Sequence, residues 1–262
     1  MEIAIAFVFA AFGLVIGSFL NVVIDRLPAG ESLAFPPSHC SSCNHHLVAK
    51  DLVPVSSYAF LKGRCRYCGE HITLRIPIVE AATAVAFGLL FLKFPSTPAS
   101  LAIALFYFCL LLVIAVIDLE TGIILPIMVV PSIILAIIFS LLLPHSSFVP
   151  QIRSTLIGGG IGLGVMLLIF VLAYLWYHRE AFGFGDVYLG TLMGVMLGAP
   201  RIVVGILSAV YVGAIIAIIL VATRKKGMKQ PIAFGEFLAI GTGIAFIWGI
   251  PIWNWYSNLF KF

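Results

Sequence analysis

The chain has 262 residues, 62% of them hydrophobic and 10% charged, with a mean hydropathy of +1.16 and a formal net charge of +4. Soluble globular proteins carry roughly 25% charged residues, so this composition excludes a water-soluble globule and implies an all-α polytopic membrane protein with the lipid bilayer as its surroundings. Nucleic acid is not expected as a partner, and the oligomeric state is not legible.

A crossing helix needs about 20 mostly apolar residues. Eight candidate spans occur, at 3–24, 77–94, 99–117, 123–143, 155–176, 187–200, 202–223 and 236–256. At the N-terminus, Glu2 stands where a cleavable signal would carry basic residues, and the apolar run is long enough to span. Residues 1–24 are therefore expected to remain as the first transmembrane helix. The connection 25–76 is the one long polar stretch, and it holds four of the five cysteines and four of the six histidines.

In that loop two C-x2-C pairs, "SHCSSC" and "GRCRYC", supply Cys40, Cys43, Cys65 and Cys68, with 21 residues between Cys43 and Cys65. Each pair sets two thiolates on one tight turn, and two such turns complete a tetrahedral four-sulfur site suited to Zn2+. A closed set of this kind leaves no position for water, so the ion would be structural, folding a loop too short to build its own core. Two disulfides, which require an oxidising compartment, and idle thiols are the alternatives. His39, His45, His46 and His71 lie near enough to substitute, although four cysteines need no substitute. Cys109, inside an apolar span, reads as packing.

Eight spans in series put alternate connections on opposite sides. One side collects Arg26, Lys50, Lys62, Arg64, Arg66, Arg75, Arg179, Arg224, Lys225, Lys226 and Lys229, and the other Lys93, Arg153, Arg201 and Lys261. Eleven against four predicts that the first side is cytoplasmic, with both termini outside. The same arrangement brings Asp118, closing the third span, and Asp186, opening the sixth, to one cytoplasmic face although they are 68 residues apart.

A carboxylate near membrane depth is a functional-site candidate. Two of them sharing one proton can hydrolyse a peptide bond without a covalent intermediate, one activating water and the other polarising the carbonyl. In "AFGFGDVYLG" (181–190) the glycines at 183 and 185 would allow the backbone to turn sharply and to approach a substrate strand closely, and Asp186 also fits a helix N-cap. Asp118 in "VIDLETG" is otherwise an interfacial carboxylate, with Glu120 as a competitor for its role. Ser18, Ser38, Ser56 and Ser57 lack a His and acid set. The "GGGIGLG" run at 158–164 lies inside an apolar span with no preceding strand, which favours close helix packing over a dinucleotide fingerprint.

"GSFLNVVIDRLP" (17–28), the two C-x2-C pairs, "RIPIVE" (75–80), "IDLETGIILP" (117–126), "GFGDV" (183–187) and "PIAFGEFLAIG" (231–241) occur in this order. Together they resemble the type IV prepilin peptidases, over essentially the whole chain. The resemblance implies a bifunctional enzyme of the cytoplasmic (inner) membrane. It would cleave the basic leader from type IV prepilins and pseudopilins after a glycine, on the cytoplasmic side of the substrate's hydrophobic helix. It would then methylate the exposed amino group with S-adenosylmethionine. The catalytic aspartates map onto Asp118 and Asp186, and the cysteine tetrad onto Cys40, Cys43, Cys65 and Cys68. The methylation-associated elements map onto Gly63, Arg64 and Glu80. Glu80 can alternatively be read as an ion-pair partner of Arg75.

The implied organisation is a first transmembrane helix (1–24), a cytoplasmic four-cysteine zinc-binding domain (25–76) and a membrane-embedded aspartic peptidase domain (77–262). The family pattern is departed from at Ile127, at Tyr188 and at Glu236, which blurs substrate preference without removing a carboxylate. Two rival classes remain. A presenilin-type aspartic protease is disfavoured because no "PAL" element occurs. A membrane transporter or channel with a zinc-ribbon regulatory loop would be expected to put its polar groups at mid-membrane, whereas here they lie at span ends.

Overall fold

The structure is a computed structural model that describes residues 2–94, 97–143, 148–177, 183–223 and 234–259. Arg179, Arg224, Lys225, Lys226, Lys229 and Lys261 of the charge count, and residues 231–233 of "PIAFGEFLAIG", lie outside the described residues. All eight predicted spans are helices. They are α1 (Glu2–Arg26), α3 (Arg75–Lys93), α4 (Pro98–Thr121), α5 (Pro126–Leu142), α6 (Ile152–Tyr177), α7 (Phe184–Leu197), α8 (Arg201–Ala222) and α9 (Gly235–Leu259), with a one-turn helix α2 (Ser56–Phe60) in the polar loop.

The protein is thus an all-helical membrane protein. Among the described residues six helices are long and apolar enough to cross a bilayer, while α5 and α7 are shorter, at 17 and 14 residues. At 1.5 Å per residue α7 is roughly 21 Å long, less than the ~30 Å hydrocarbon core. A short helix is tolerated where protein, not lipid, surrounds its ends. That is the case for α7, which packs on α5, α6, α8 and α9 and buries Leu189, Leu192, Met193 and Met196 completely.

Packing divides the chain into two compact units, Met1–Val113 and Ile114–Phe262. In the first, α1 and α3 run against each other with glycine at the contact. A Cβ on Gly13 would lie 2.7 Å from the Thr83 carbonyl oxygen, and one on Gly17 would lie 2.7 Å from Glu80 Cα. Small residues four apart let two membrane helices meet at backbone distance. Phe9 stacks on Phe91 at 4.7 Å. At the loop end, Asn21 Nδ2 donates to the Ile76 carbonyl at 3.2 Å and Arg75 pairs with Asp25 at 2.7 Å. The ion pair of Arg75 is therefore with α1, not with Glu80.

In the second unit the "GGGIGLG" run does what an apolar setting suggests. Gly158 and Gly162 of α6 abut the backbone carbonyls of Gly194 and Gly190 of α7, so no side chain fits at any of the four positions. Gly241 of α9 meets α8 in the same way, 2.8 Å separating its Cβ position from the Ala209 nitrogen.

Candidate functional site

Asp118 lies in the last turn of α4. The helix is stopped by Gly122, whose left-handed φ of +67° suits glycine, and whose N–H donates to the Asp118 carbonyl at 2.8 Å. The Thr121 hydroxyl donates to the Ile117 carbonyl at 2.7 Å and accepts from the Ile123 N–H at 3.2 Å. The chain thereby reverses into residues 123–125 before Pro126 starts α5, a favoured first helical position for proline.

That reversal seats Ile124 against the first turn of α7. A Cβ on Gly185 would lie 2.8 Å from Ile124 Cβ, so the close approach that this glycine permits is to the protein's own Ile124. Gly183 adopts an ordinary extended conformation (φ −73°, ψ 136°), so no sharp glycine-only turn occurs there. The N-cap is Gly183, not Asp186. Asp186 sits three residues on, and its carboxylate accepts the Gly183 N–H. It thus supplies the acidic half of a capping box, the arrangement in which an N3 carboxylate reaches back to the N-cap amide.

Asp118 is 4% exposed and Asp186 7%. Both line one cavity of about 150 Å³ with Gly122, Ile123, Ile124, Gly183 and Gly185. Water therefore fits between two carboxylates that the fold holds on separate helices. Asp118 accepts hydrogen bonds from the N–H groups of Gly235 and Glu236, at the start of α9. Its Oδ2 has no partner among the described residues. Glu120 is exposed, two residues round the helix from Asp118, and does not line the cavity. Tyr188 packs edge-on against Phe184 at 5.1 Å, one helical turn back. Sequence reasoning missed the α9 amides and Ile124, for which no local pattern exists. The run "FGE" was their only trace.

Cys40, Cys43, Cys65 and Cys68 converge in the first unit, their sulfurs all within 4.8 Å of one another. The two knuckles share one geometry. Cys40 N–H donates to His45 O and Cys65 N–H to Glu70 O, at 3.0 and 2.8 Å. Asn44 and Gly69, at equivalent positions, both adopt left-handed φ (54° and 76°). A tetrahedron with metal–sulfur bonds of about 2.3 Å has edges of roughly 3.8 Å, and Cys40 and Cys68 sulfurs are 3.8 Å apart.

The Cys43 and Ser42 backbone N–H groups draw the Cys40 thiol down to about 7. At Cys68 the Glu70 N–H acts in the same direction, but desolvation and the sulfurs of Cys43, Cys65 and Cys40 outweigh it and push the thiol up to about 12. Four thiolates this close need a cation between them, so the set fits a metal ion. Asp51 ties the second knuckle to the segment between the two, accepting from Arg66 Nε at 2.6 Å, from the Tyr67 hydroxyl at 2.9 Å and from the Val48 N–H at 3.3 Å.

Gly63 and Glu80 meet opposite ends of α2. Gly63 (φ +71°) leaves no room for a Cβ, which would fall 2.7 Å from the Tyr58 hydroxyl. Glu80, 4% exposed, accepts the Val55 N–H at 2.7 Å and is a hydrogen-bond partner of Ser18. Arg64 is exposed. Arg64 is therefore the one of the three whose charge faces water.

Residues 11–94 match the bacterial peptidase A24 N-terminal domain, and residues 105–218 match the type IV leader peptidase family. The chain is 32% identical to the prepilin leader peptidase/N-methyltransferase of Aeromonas salmonicida (strain A449), over 94% of this chain and 92% of that protein. The protein of the same name from Pseudomonas aeruginosa is 31% identical, covering 95% and 92%. The Myxococcus xanthus one is 32% identical, covering 92% and 72%. No solved structure matches the chain.

Proposed function

Because the chain belongs to the type IV prepilin leader peptidase family, we propose that it cleaves prepilin leaders with Asp118 and Asp186 as the catalytic pair. The observation carrying this reading is that two buried carboxylates from separate helices line one cavity with room for water. One carboxylate takes a proton from water, whose oxygen adds to the scissile carbonyl carbon. The other, protonated, gives its proton to the carbonyl oxygen. The tetrahedral gem-diol then collapses: the C–N bond breaks, the proton held by the first residue passes to the leaving amine, and one diol hydroxyl returns a proton to the second carboxylate as the new carbonyl forms. Two like charges in one buried site disfavour double ionisation, so the titration belongs to the pair.

The substrates in this reading are prepilins and pseudopilins with a hydrophobic N-terminal helix. An excess of Lys and Arg on the side where both aspartates would emerge supports a cytoplasmic position for that side, with both termini outside, in the inner membrane. Cys40, Cys43, Cys65 and Cys68 would hold a structural Zn2+, which supplies folding energy to the loop and no chemistry.

N-methylation of the new terminus belongs to the same proposal, supported by the bifunctional name that the relatives carry. S-adenosylmethionine would supply a methyl group on a sulfonium centre. Gly63 and Glu80 would shape the α2 segment, and Arg64 would offer its guanidinium to the donor's carboxylate. The functional division is then 25–76 for the zinc-bearing, methylation-associated part and 77–262 for the peptidase.

The test is cleavage of a synthetic prepilin peptide by purified enzyme, with S-adenosylmethionine present, read by mass spectrometry. Asp118→Asn and Asp186→Asn should each lose about 10²–10⁴-fold in rate while remaining folded. Wild-type cleavage by either variant would sink the assignment.

A further inference from the structure

We propose that Gly235, the first residue of α9, is a positioning residue for Asp118, required because only a residue without a side chain lets the α9 amides dock onto that carboxylate. The inference rests on the assignment of Asp118 to the catalytic pair.

The contact is tight and specific. A Cβ on Gly235 would lie 2.7 Å from Asp118 Oδ2, 3.1 Å from Asp118 Cγ and 2.9 Å from Ile124 Cδ1. At this spot the Gly235 and Glu236 N–H groups donate to the Asp118 carboxylate. The first amides of a helix have no partner within it, and a carboxylate is a natural acceptor for them. Here the acceptor comes from another helix, so the hydrogen bonds fix the Asp118 side chain relative to α9.

A methyl group at 235 cannot be absorbed by retreat of α9. Phe237, two residues on, is 3% exposed and lies under Gly213 of α8, where a Cβ would already be 3.1 Å from its ring. Gly241, further along, is at backbone contact with Ala209. What yields is the Asp118 carboxylate or the Ile124 side chain. Asp118 Oδ2 has no hydrogen-bond partner among the described residues, so pushing it aside strains only the bonds that the Gly235 and Glu236 amides make to the same carboxylate. Gly243, on the same helix, has nothing within 4 Å of its Cβ position and serves as the matched control.

The experiment measures kcat and KM for prepilin peptide cleavage, with thermal unfolding in detergent, for Gly235→Ala, Gly243→Ala, Gly235→Ala combined with Ile124→Val, and Asp118→Asn. The expected result is a fall of about 10²-fold in kcat for Gly235→Ala, with KM within twofold, an unfolding midpoint near wild type, and wild-type behaviour for Gly243→Ala. Removing Ile124 Cδ1 should not restore the rate, because the clash with Asp118 remains. A wild-type kcat in Gly235→Ala overturns the proposal. So does a loss that tracks unfolding or a raised KM, or full rescue by Ile124→Val. If Asp118→Asn itself cleaves normally, the catalytic pair fails as well; if it is inactive while Gly235→Ala is normal, only the positioning role fails.

Discussion

Gly185→Ala tests whether the approach of residues 122–125 to α7 sets the catalytic geometry. The added methyl would lie 2.8 Å from Ile124 Cβ and 3.5 Å from both Ile124 Cγ1 and its carbonyl oxygen, where ordinary contact starts at 3.4 Å. The gap must therefore open by roughly 0.6 Å, and misplacement on the order of 1 Å costs about 10²-fold in rate. Stability should move much less. Overpacking costs about 1–3 kcal/mol, while alanine for glycine in a helix returns up to about 1 kcal/mol. The expected signature is an enzyme that unfolds within several degrees of wild type and cleaves prepilin peptide about 30- to 100-fold more slowly, the loss being in kcat. Gly164→Ala on α6, with nothing within 4 Å, is the control. A Gly185→Ala enzyme with wild-type kcat would mean that the carboxylates do not depend on this contact, and the geometric argument would fall.

Other outcomes follow from the same structure. Purified enzyme should contain one zinc per chain, and Cys65→Ser, which removes the most buried ligand, should lower that content; thiol counting that finds two disulfides would contradict it. With the metal stripped, alkylation of Cys40 should rise through a midpoint at about pH 7, because the thiolate forms above the pKa and reacts. Cys68, pushed up to about 12, should label last; equal labelling of all four would be inconsistent with this electrostatic picture. Glu80→Ala removes the acceptor of the Val55 N–H, where φ is a strained +59°, so methylation should fall while cleavage persists. Glu80→Gln, which keeps an oxygen there, should retain more methylation, as read from the product's methyl mass. Gly162→Val puts bulk against the Gly190 carbonyl and should destabilise by about 1–3 kcal/mol or more, measured by thermal unfolding against a neutral Gly160→Ala control.

Much of the protein is legible one-dimensionally because the bilayer imposes simple rules. Apolar length marks the helices, since every backbone amide in lipid must be satisfied within its own segment. C-x2-C spacing marks the knuckles, since two ligands on one turn are a local geometry. Asp118 and Asp186 could be singled out because a carboxylate at the end of an apolar span has few structural excuses. The glycine run at 158–164 was readable for the same reason, its setting excluding the alternative.

What no local pattern carried was decided by tertiary contact. Whether Asp186 is an N-cap or the residue three positions into the helix depends on where α7 starts, and that start is set by Gly185 packing on Ile124. That Arg75 pairs with Asp25 and Glu80 with the Val55 amide depends on α1 lying against α3. The amides of Gly235 and Glu236 reach Asp118 across more than a hundred residues of chain. Hydropathy and residue spacing are properties of a single segment, so the helices, the cysteine knuckles and the two carboxylates at span ends can be read along the chain. The shape of the cavity between those carboxylates is a property of three chain segments at van der Waals distance, and it exists only once they have folded together.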